Sequence, residues 1–574
     1  MGWGRGLLSS KHIWRDGVSS RWPVATVLAA SSLMALACGG DARASTGAGG
    51  SGGGGGDGAG PTDCGTFAVL AADGDCAEVG VGDCREGFEA SDAGCAPILP
   101  ASACDPGMMA LPGDVTCREI MDCGRGPWGE VPIEPGAVFV DGGYGGPDPS
   151  DGTADRPFTT IGVAMGSVPD DGQVVVAEGT YVEQLIFEGT RIRLWGRCPR
   201  LVRIVSPVVG QGAVQLTGSP DGHEVHGVAI AGDGFGVAMS GVDDVLLDRV
   251  WVTETANAGI SAEDVLGPVS FTLVDSLVES VVDVGVGVGG VSAVIDRTEI
   301  RDVISGPSGG GVGLGVLSRS GPATAVVTGS HLHRLVGAGV GGVASTLAMS
   351  ETAIRDVAPV PNGLVDGVGL ALVGGPVAPF DVALDSVSVE RIHEAGIVLE
   401  DATGALERVS VHEVFPQSGD QLGGSGISIQ SGAQTETPDV VIRRSSTLGT
   451  PLFGIIAADA HVLVEDSVIR RGDPSSGGDT LGDGVVVVSF DLAAVLSMSR
   501  SWVEGHNRAG VSNFAATASV GESVLECNTV DLDGEVTASG PFSFTDEGDN
   551  RCGCGEQTVI CKVQSTNLSP PMPP

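Results

Sequence analysis

Charged side chains that could act together as acids and bases recur at a fixed place along this sequence. They are Arg301, Asp302, His333, Arg355 and Asp356, and each follows a small or β-branched residue by three or four positions. Side chains of this kind can donate and accept protons during catalysis. If successive segments stack at the strand spacing of roughly 4.8 Å, these groups form an acid–base patch. We take these five residues as the candidate catalytic residues.

Once the segments stack, these recurring charged positions form a column. This column also supports a structural interpretation, which we favour. Similar pairs follow one another along it: His333-Arg334, Glu390-Arg391 and His412-Glu413. Stacked roughly 5 Å apart, side chains of mixed sign form a salt-bridge ladder, in which an exposed pair contributes about 0.2–1 kcal/mol. Such a ladder also fixes the register of the segments, because a slip would bring like charges together.

Several sugar-cleaving mechanisms lack the residues that they need. Lysine occurs only at Lys11 and Lys562, and tyrosine only at Tyr144 and Tyr181, all outside the repeated region. A lysine or tyrosine base within the repeats is therefore excluded.

Two further features of sugar-cleaving sites are weak. A calcium-dependent elimination with Arg301 or Arg355 as the base would also need clustered carboxylates as calcium ligands. Aromatic platforms on which sugars stack are sparse, because only Trp251 and Trp502 fall at outward positions of the repeats.

The repeat that must position these residues runs from about Val250 to Ser523. A small or β-branched anchor opens each unit: Val250, Ser276, Thr298, Ser330, Thr352, Val387, Val409, Ser445, Ser467, Ser501 and Ser523. Five of the ten intervals equal 22 residues, and the intervals between them are longer. A constant short period, with extra length confined to alternate units, is typical of a solenoid whose coils stack flush.

Apolar columns aligned on the anchors predict buried strands. Ile300, Leu332 and Ile354, for example, each lie two residues after an anchor and have polar neighbours. This alternation indicates strands with one buried face. With about three short strands in each coil, the spacing predicts an all-β, right-handed parallel β-helix of about thirteen coils, roughly 60 Å long.

A glycine followed by valine or isoleucine recurs in every interval. The glycines are Gly259, Gly285, Gly311, Gly339, Gly367, Gly396, Gly426, Gly454, Gly484 and Gly510. We expect them to stack at a tight corner where the backbone needs a positive φ.

Every second coil carries extra loops. ISGPSGG, APVPNGLVD, FPQSGDQLGG and RGDPSSGGDTLGD follow the anchors Thr298, Thr352, Val409 and Ser467. Loops beside a sheet are where solenoids build binding surfaces. Duplication of a two-coil unit would explain the same rhythm without any ligand, so the sequence leaves both interpretations open.

The segment before the repeats resembles the start of a known fold family. It reads VFVDGGYGGPDPSDGTADRPFTTIGVAM at Val138–Met165 and GQVVVAEGTY at Gly172–Tyr181. This pattern resembles pectate-lyase-like right-handed parallel β-helix proteins of the secreted and lipoprotein bacterial type. The resemblance extends from about Ala137 to Cys527 and implies a short helix that caps the first coil. It implies no single activity, because the fold hosts lyases, hydrolases, epimerases and adhesins.

The chain divides into five predicted regions. They are a signal peptide (1–37), a lipid anchor with a glycine-rich linker (38–60), a Cys-rich disulfide-stapled region (61–135), the β-helix (136–530), and a Cys-containing C-terminal cap with a proline-rich tail (531–574). Basic residues precede an apolar run that ends at Ala37, as in secretory signals. Cys38 resembles a lipidation site. We therefore expect an exported protein, anchored at a Gram-negative outer membrane or extracellular, with release after cleavage as the alternative.

The remaining cysteines predict disulfide bonds. They are Cys64, Cys76, Cys84, Cys95, Cys104, Cys117, Cys123, Cys198, Cys527, Cys552, Cys554 and Cys561. They form groups of eight and four, which an exported chain can pair completely. Two similar short loops favour Cys84–Cys95 and Cys104–Cys117, and the other pairings stay open. Zinc is disfavoured because no C-x-x-C pair or histidine accompanies these cysteines.

The sequence predicts neither a cofactor nor a metal site. Calcium at Asp148–Asp155 or Asp531–Gly534 is a weaker alternative, since turn formation explains both segments.

The net charge of −42 limits the partners. It disfavours nucleic acids and anionic lipids, so membrane contact is expected only through the N-terminal lipid. We predict a monomeric surface lipoprotein with a non-catalytic binding, adhesion or scaffolding role towards a polysaccharide or a surface protein. The alternative is a polysaccharide lyase or glycoside hydrolase that uses a β-helix sheet face.

Overall fold

A computed structural model describes residues 64, 67–70 and 76–571, except 219, 307–309, 361–366, 376–379, 417–422, 433–436, 472–481 and 556. The predicted signal peptide, Cys38 and the glycine-rich linker lie outside the described residues, as does part of each long alternate-coil loop.

The described chain is a right-handed parallel β-helix, as the repeat predicts. Ile300 pairs in register with Leu332, and Leu332 with Ile354. All three side chains are fully buried in one continuous apolar core. The alternating pattern therefore directs one set of side chains to a shared axis, while their neighbours point outward.

One side of each coil contributes to a 14-stranded parallel sheet, close to the expected number of coils. Its strands are Leu185–Phe187, Val214–Thr217, Val237–Ser240, Ile260–Glu263, Val284–Gly289, Val312–Leu317, Ala338–Val343, Val368–Val373, Ala395–Glu400, Ser425–Gln430, Phe453–Ala458, Asp483–Val488, Ala509–Phe514 and Val530–Glu535.

The other two sides form a continuous 30-stranded sheet with two columns of strands. The first column contains Val138–Val140, Gly172–Val176, Ile192–Gly196, Glu224–His226, Val242–Asp248, Val269–Val274, Ser292–Asp296, Thr324–Thr328, Ala402–Glu407, Asp439–Arg443, His461–Glu465, Val495–Ser499, Thr517–Gly521 and Ser543–Gly548. The second column contains Gly179–Val182, Val202–Ser206, Ala229–Gly232, Trp251–Thr255, Leu277–Val282, Glu299–Ile304, His331–Val336, Ser410–Phe415, Ser446–Leu448, Val468–Arg470, Trp502–Glu504, Val524–Glu526, Arg551–Cys554 and the antiparallel Gln557–Val559. Two long strands, Thr346–Ala358 and Phe380–His393, bend through both columns.

Both ends of the β-helix are closed. Helix α1, Ile161–Met165, buries Ile161, Ala164 and Met165 against the first coil, as the resemblance implies. At the other end the parallel ladder runs past the expected boundary at residue 530 to Cys554. The closing cysteines pair as Cys527–Cys554 and Cys552–Cys561.

The glycine column stacks as expected, but not for the expected reason. Of the ten glycines only Gly367 has a positive φ, and in two long coils the stacked residues are Gly313 and Gly369 rather than Gly311 and Gly367. A Cβ on Gly285 would lie 2.5 Å from the carbonyl oxygen of Gly313. Close approach of successive backbones therefore requires glycine here.

Left-handed backbone occurs instead at the charged residue just before most anchors. Asp275 has a φ of 48° and Arg297 a φ of 44°. The side chains of these two corners form an ion pair at 2.8 Å. The charged residues just before the anchors thus form a corner of each coil and also a ladder of ion pairs along the rod.

The close approach at the glycine column gives a sharp test. A Cβ on Gly339 would lie 2.5 Å from both the Gly369 oxygen and Ile354 Cγ2. We expect Gly339→Ala to lower the local free energy of unfolding by about 1–3 kcal/mol, as overpacked cores do, measured by hydrogen exchange of the strand Ala338–Val343. Gly341→Ala, in the same strand, meets only Val312 at 3.5 Å and should be close to neutral. Equal losses in the two variants would contradict close approach as the cause.

The Cys-rich region lies along the β-helix as a strap, which we define as the described residues between Cys64 and Val131. It contains three hairpins: β1 (Ala68–Leu70) with β2 (Cys76–Glu78), β3 (Phe88–Ser91) with β4 (Gly94–Pro97), and β5 (Met108–Met109) with β6 (Arg118–Glu119). Its internal disulfides are Cys64–Cys76, Cys84–Cys95 and Cys104–Cys117, and Cys123–Cys198 joins it to the β-helix. The two pairings favoured from the sequence are therefore confirmed.

The strap runs against the order of the coils. Gly80 N donates to Asp466 O, Cys95 N to Ser410 Oγ, and Ala110 N to Glu299. The Cys-rich segment therefore covers one side of the rod from its last coils to its first.

Candidate functional site

The candidate catalytic residues lie on the side that the strap covers, which we call the strap face: the outer side of the second strand column. Arg301 pairs in register with Glu279 below it and with His333 above it. His333 pairs in turn with Arg355, and Arg355 with Glu390. Since Ile300 and Leu332 point inward, their neighbours along the strands point outward and stack in one column.

Arg301 is the centre of this column and is 1% exposed. Its Nε and Nη2 donate to Glu279 Oε2 at 2.9 and 2.6 Å, and its Nη1 donates to Glu299 Oε1 at 3.0 Å. Both carboxylates are almost fully buried. One guanidinium thus neutralises part of the charge of two buried carboxylates, an arrangement that depends on complete hydrogen bonding.

The strap completes that hydrogen bonding. Gly107 N donates to Glu279 Oε1 at 2.9 Å, and Ala110 N donates to Glu299 Oε2 at 2.7 Å. Arg301 Nη2 donates to Asp105 O at 3.1 Å. Backbone groups beside strand β5 of the hairpin β5–β6 therefore cover the outward side of this column.

Two histidines on the strand His331–Val336 stack over this pair of carboxylates. Their ring centroids are 4.0 Å apart. His333 Nε2 lies 2.6 Å from Glu299 Oε1, and His331 Nδ1 lies 3.1 Å from Ala110 O. Burial lowers the pKa of both imidazoles well below 6.5, with a contribution from Arg334 at His333 and from His333 at His331. Both rings are accordingly neutral at pH 7.

The other candidates lie at the margin of the strap, in ion pairs. Asp302 accepts from Arg334 at 2.6 Å, and Asp356 accepts from Arg391 at 2.6 Å. Burial, the largest single effect, would raise the pKa of each aspartate, but the hydrogen bonds and positive charges of the neighbouring arginines together outweigh it and lower both pKa values. Arg355 Nε lies 3.2 Å from Glu390 Oε1.

The structure thus brings the five candidate residues together, in the arrangement of a ladder. Each guanidinium faces a carboxylate, and the centre of the column lies under the strap. Sequence reasoning missed Glu279, Glu299 and His331. The signal was available for all three: Glu279 follows the anchor Ser276 by three positions and so belongs to the column itself. Glu299 and His331 each directly follow an anchor and so point outward beside the column.

The strap also changes the role of the two outward tryptophans. Trp251 Nε1 donates to Glu279 Oε1 at 2.8 Å, and its ring packs with Met109 and Leu111. Trp502 is 4% exposed and packs with Val69 and Val79. Both rings anchor strap hairpins and offer no platform to a sugar.

The outer side of the first strand column, the open face, has a different composition. Its outward residues over four central coils are Ser270, Thr272, Val274, Ser292, Val294, Asp296, Thr324, Val326, Thr328, Thr346, Ala348 and Ser350. Val294 is 43% and Val326 39% exposed. Hydroxyl and aliphatic side chains therefore predominate on this face over the four coils, with Asp296 as the charged residue among them.

The long alternate-coil loops all lead into the 14-stranded sheet. They precede the strands that begin at Val312, Val368, Ser425 and Asp483. The ends of the loops that the structure describes thus lie at one edge of this sheet, as their spacing predicts.

The two segments considered for calcium make local turn contacts. Asp151 Oδ1 accepts from Thr153 N and Oγ1, and the carboxylate pairs with Arg156. Asp531 accepts from Asn528 and from Gly553 N. The hydrogen bonds at Asp151 and between Asn528 and Asp531 are those expected of turns, and the bond from Gly553 joins Asp531 to the next coil.

No family model matches this chain, and no curated protein matches it by sequence. Solved structures match it at low identity. The catalytic unit of the GH87 alpha-1,3-glucanase from Streptomyces thermodiastaticus strain HF3-3 is 12% identical with a TM-score of 0.39, over 76% of this chain and 71% of its own. The periplasmic alginate epimerase AlgG is 10% identical with a TM-score of 0.37, and the match covers 66% of this chain and 78% of the epimerase chain. Pectate lyase Pel9A is 11% identical with a TM-score of 0.23, and the match covers 76% of this chain and 78% of the lyase chain.

All three TM-scores lie below 0.5, and the parallel β-helix of this chain rests on its own strand pairing. The six disulfides indicate an exported protein. Among the described residues, no helix has the length and hydropathy of a membrane span.

Proposed function

We propose that this protein is an exported, non-catalytic β-helix that binds neutral polysaccharide at the cell surface through its open face. One observation carries the proposal: the chain's best acid–base constellation is sealed beneath a disulfide-stapled strap. Arg301 is 1% and His333 6% exposed, so a polymer has no access to either side chain.

The chemistry of the open face supports a binding role. Hydroxyl side chains such as Ser292 and Thr324 can exchange hydrogen bonds with sugar hydroxyls, while Val294 and Val326 offer apolar contact. The net charge of −42 favours an uncharged ligand over a polyanionic one.

The path of the strap supports attachment by the end of the rod. Phe67–Leu70 lie beside Val468 and Trp502, in the last coils. A lipid on Cys38, followed by the linker at residues 39–60, would therefore hold the rod by its C-terminal end and leave the open face accessible along its length.

The direct test is to incubate the purified chain with neutral glucans, xylan and pectate, the last with and without calcium. Binding is followed by affinity electrophoresis, and cleavage by the release of reducing or unsaturated ends. We expect retardation by a neutral polysaccharide without any release. Release of new ends would refute the non-catalytic role, and absence of binding to the whole panel would refute the glycan ligand.

Matched variants locate the surface. Val294→Arg with Val326→Arg places two charged side chains on the open face and should abolish the retardation. Val536→Arg, at a position 68% exposed near the end of the rod, should leave it unchanged. Unchanged binding in the double variant would show that another face binds.

A further inference from the structure

Three metal-ligating side chains meet at one place in the described part of the chain: Glu299, His331 and His333. One ligand atom from each lies within 4.8 Å of the others, and all three residues are buried. Two imidazoles at alternate positions of one strand, with a carboxylate from the coil below, provide the nitrogen and oxygen donors that zinc prefers.

One ring nitrogen in this cluster lacks a partner. His331 is 4% exposed, and its Nε2 is buried without a hydrogen bond. Its Nδ1 faces Ala110 O at 3.1 Å, so Nδ1 carries the ring proton and Nε2 keeps its lone pair. A buried acceptor of this kind costs about 1–3 kcal/mol when unpaired, and a cation would satisfy it.

The surroundings support and orient the ligands. Ala110 accepts a hydrogen bond from His331 through its oxygen and donates one to Glu299 through its nitrogen. Hydrogen bonds to the remote atoms of metal ligands fix the tautomer and the orientation of the ring. Glu279 and Glu299 share the guanidinium of Arg301, while Arg334 and Asp302 pair beside them, so Glu299 is the anionic ligand of a cluster that also faces three guanidinium groups.

His333 must rotate and change its hydrogen bonding to join the site, because the two rings are stacked with an interplanar angle of 7° and their in-plane lone pairs do not converge. Arg334 Nη1 can only donate to His333 Nδ1, so Nε2–H now donates to Glu299. On binding, the ring proton moves from Nε2 to Nδ1, so Arg334 Nη1 loses its acceptor on His333 while Nε and Nη2 keep their hydrogen bonds to Asp302. No proton need leave the site in this exchange.

We propose that Glu299, His331 through Nε2, and His333 through Nε2 bind a divalent zinc-type ion that clamps the strap to the β-helix. Because Ala110 contacts two of the three ligands, the ion stabilises the docking of hairpin β5–β6. Its role is structural, and it does not depend on the proposed glycan binding.

The test uses the full chain without a histidine tag, dialysed against chelator, loaded overnight with zinc chloride and freed of excess. Elemental analysis should find one zinc per chain. His331→Asn should bind none, since the asparagine amide still donates to Ala110 O but removes Nε2. His461→Asn, at an exposed histidine on the open face, should retain the zinc. Zinc-free wild type, or full zinc in His331→Asn, would overturn the site.

X-ray absorption of the loaded wild-type chain decides the ligands even if His331→Asn does not fold. Two imidazole nitrogens at about 2.0–2.1 Å are expected. A spectrum without imidazole scattering would overturn the proposal. Zinc loading should also slow amide hydrogen exchange at Gly107 and Ala110, and unchanged exchange would refute the clamp.

Discussion

Replacing Arg301 with alanine is expected to weaken the docking of the strap by about 3–5 kcal/mol, the cost of breaking a buried ion pair by removing one partner. The variant leaves the carboxylates of Glu279 and Glu299 buried without their cation. Because long solenoids do not unfold in a single step, the local free energy is best read from hydrogen exchange. The amides of Gly107 and Ala110, which donate to these carboxylates, are the probes.

Arg334→Ala is the matched control. Arg334 also pairs with a carboxylate in this column, Asp302, but the side chains are 32% and 36% exposed. Exposed pairs contribute about 0–1 kcal/mol, so exchange at the two strap amides should change little. Equal effects of the two substitutions would mean that Arg301 is one more rung of the surface ladder.

The second large effect is expected from the disulfide that joins the strap to the first coils. Cys123 and Cys198 are 75 residues apart, so in the chain-entropy model their bond stabilises the fold by about 4.5 kcal/mol. Cys84 and Cys95, inside hairpin β3–β4, are 11 residues apart, for which the same model gives about 2.8 kcal/mol. We expect Cys123→Ser with Cys198→Ser to lose the larger amount.

The measurement is urea denaturation followed by hydrogen exchange of peptides from residues 120–131 and 192–206. In the double-serine variant both peptides should lose protection at lower urea than in wild type. Cys84→Ser with Cys95→Ser serves as the control and should spare them. If the control variant exposes these peptides as readily, the long disulfide is not what holds the strap to the β-helix.

Sequence reasoning located the candidate column but not its surroundings. The positions of Arg301 and His333 relative to their anchors were enough to predict that they stack. Pairing of Ile300 with Leu332 places the next residues of the two strands, Arg301 and His333, directly opposite each other. The same logic would have placed Glu299 and His331 beside them. Their burial was not predictable, because Ala110 reaches Glu299 across 189 residues of sequence and the strap has no repeat that records this contact.

The glycine column shows a similar division. The recurrence of glycine in every coil was visible in the sequence, but the reason that this position requires glycine was not. Gly311 and Gly313 are equally plausible members from the sequence, since a shift of two residues keeps every side chain on the same face of the strand. Only the pairing of Gly285 with Gly313 selects one register and reveals the close backbone contact.

The sequence by itself determined the coil, its three strands and the ladder of charges, because strand pairing repeats one local pattern and transmits it from coil to coil. The tertiary structure decided which face of the rod is available. Residues 76–131 dock through a few distant hydrogen bonds, apolar contacts and one disulfide, and contacts of that kind leave no period in the chain. They bury Arg301 and both stacked histidines, and so turn an apparent acid–base patch into the interior of an interface.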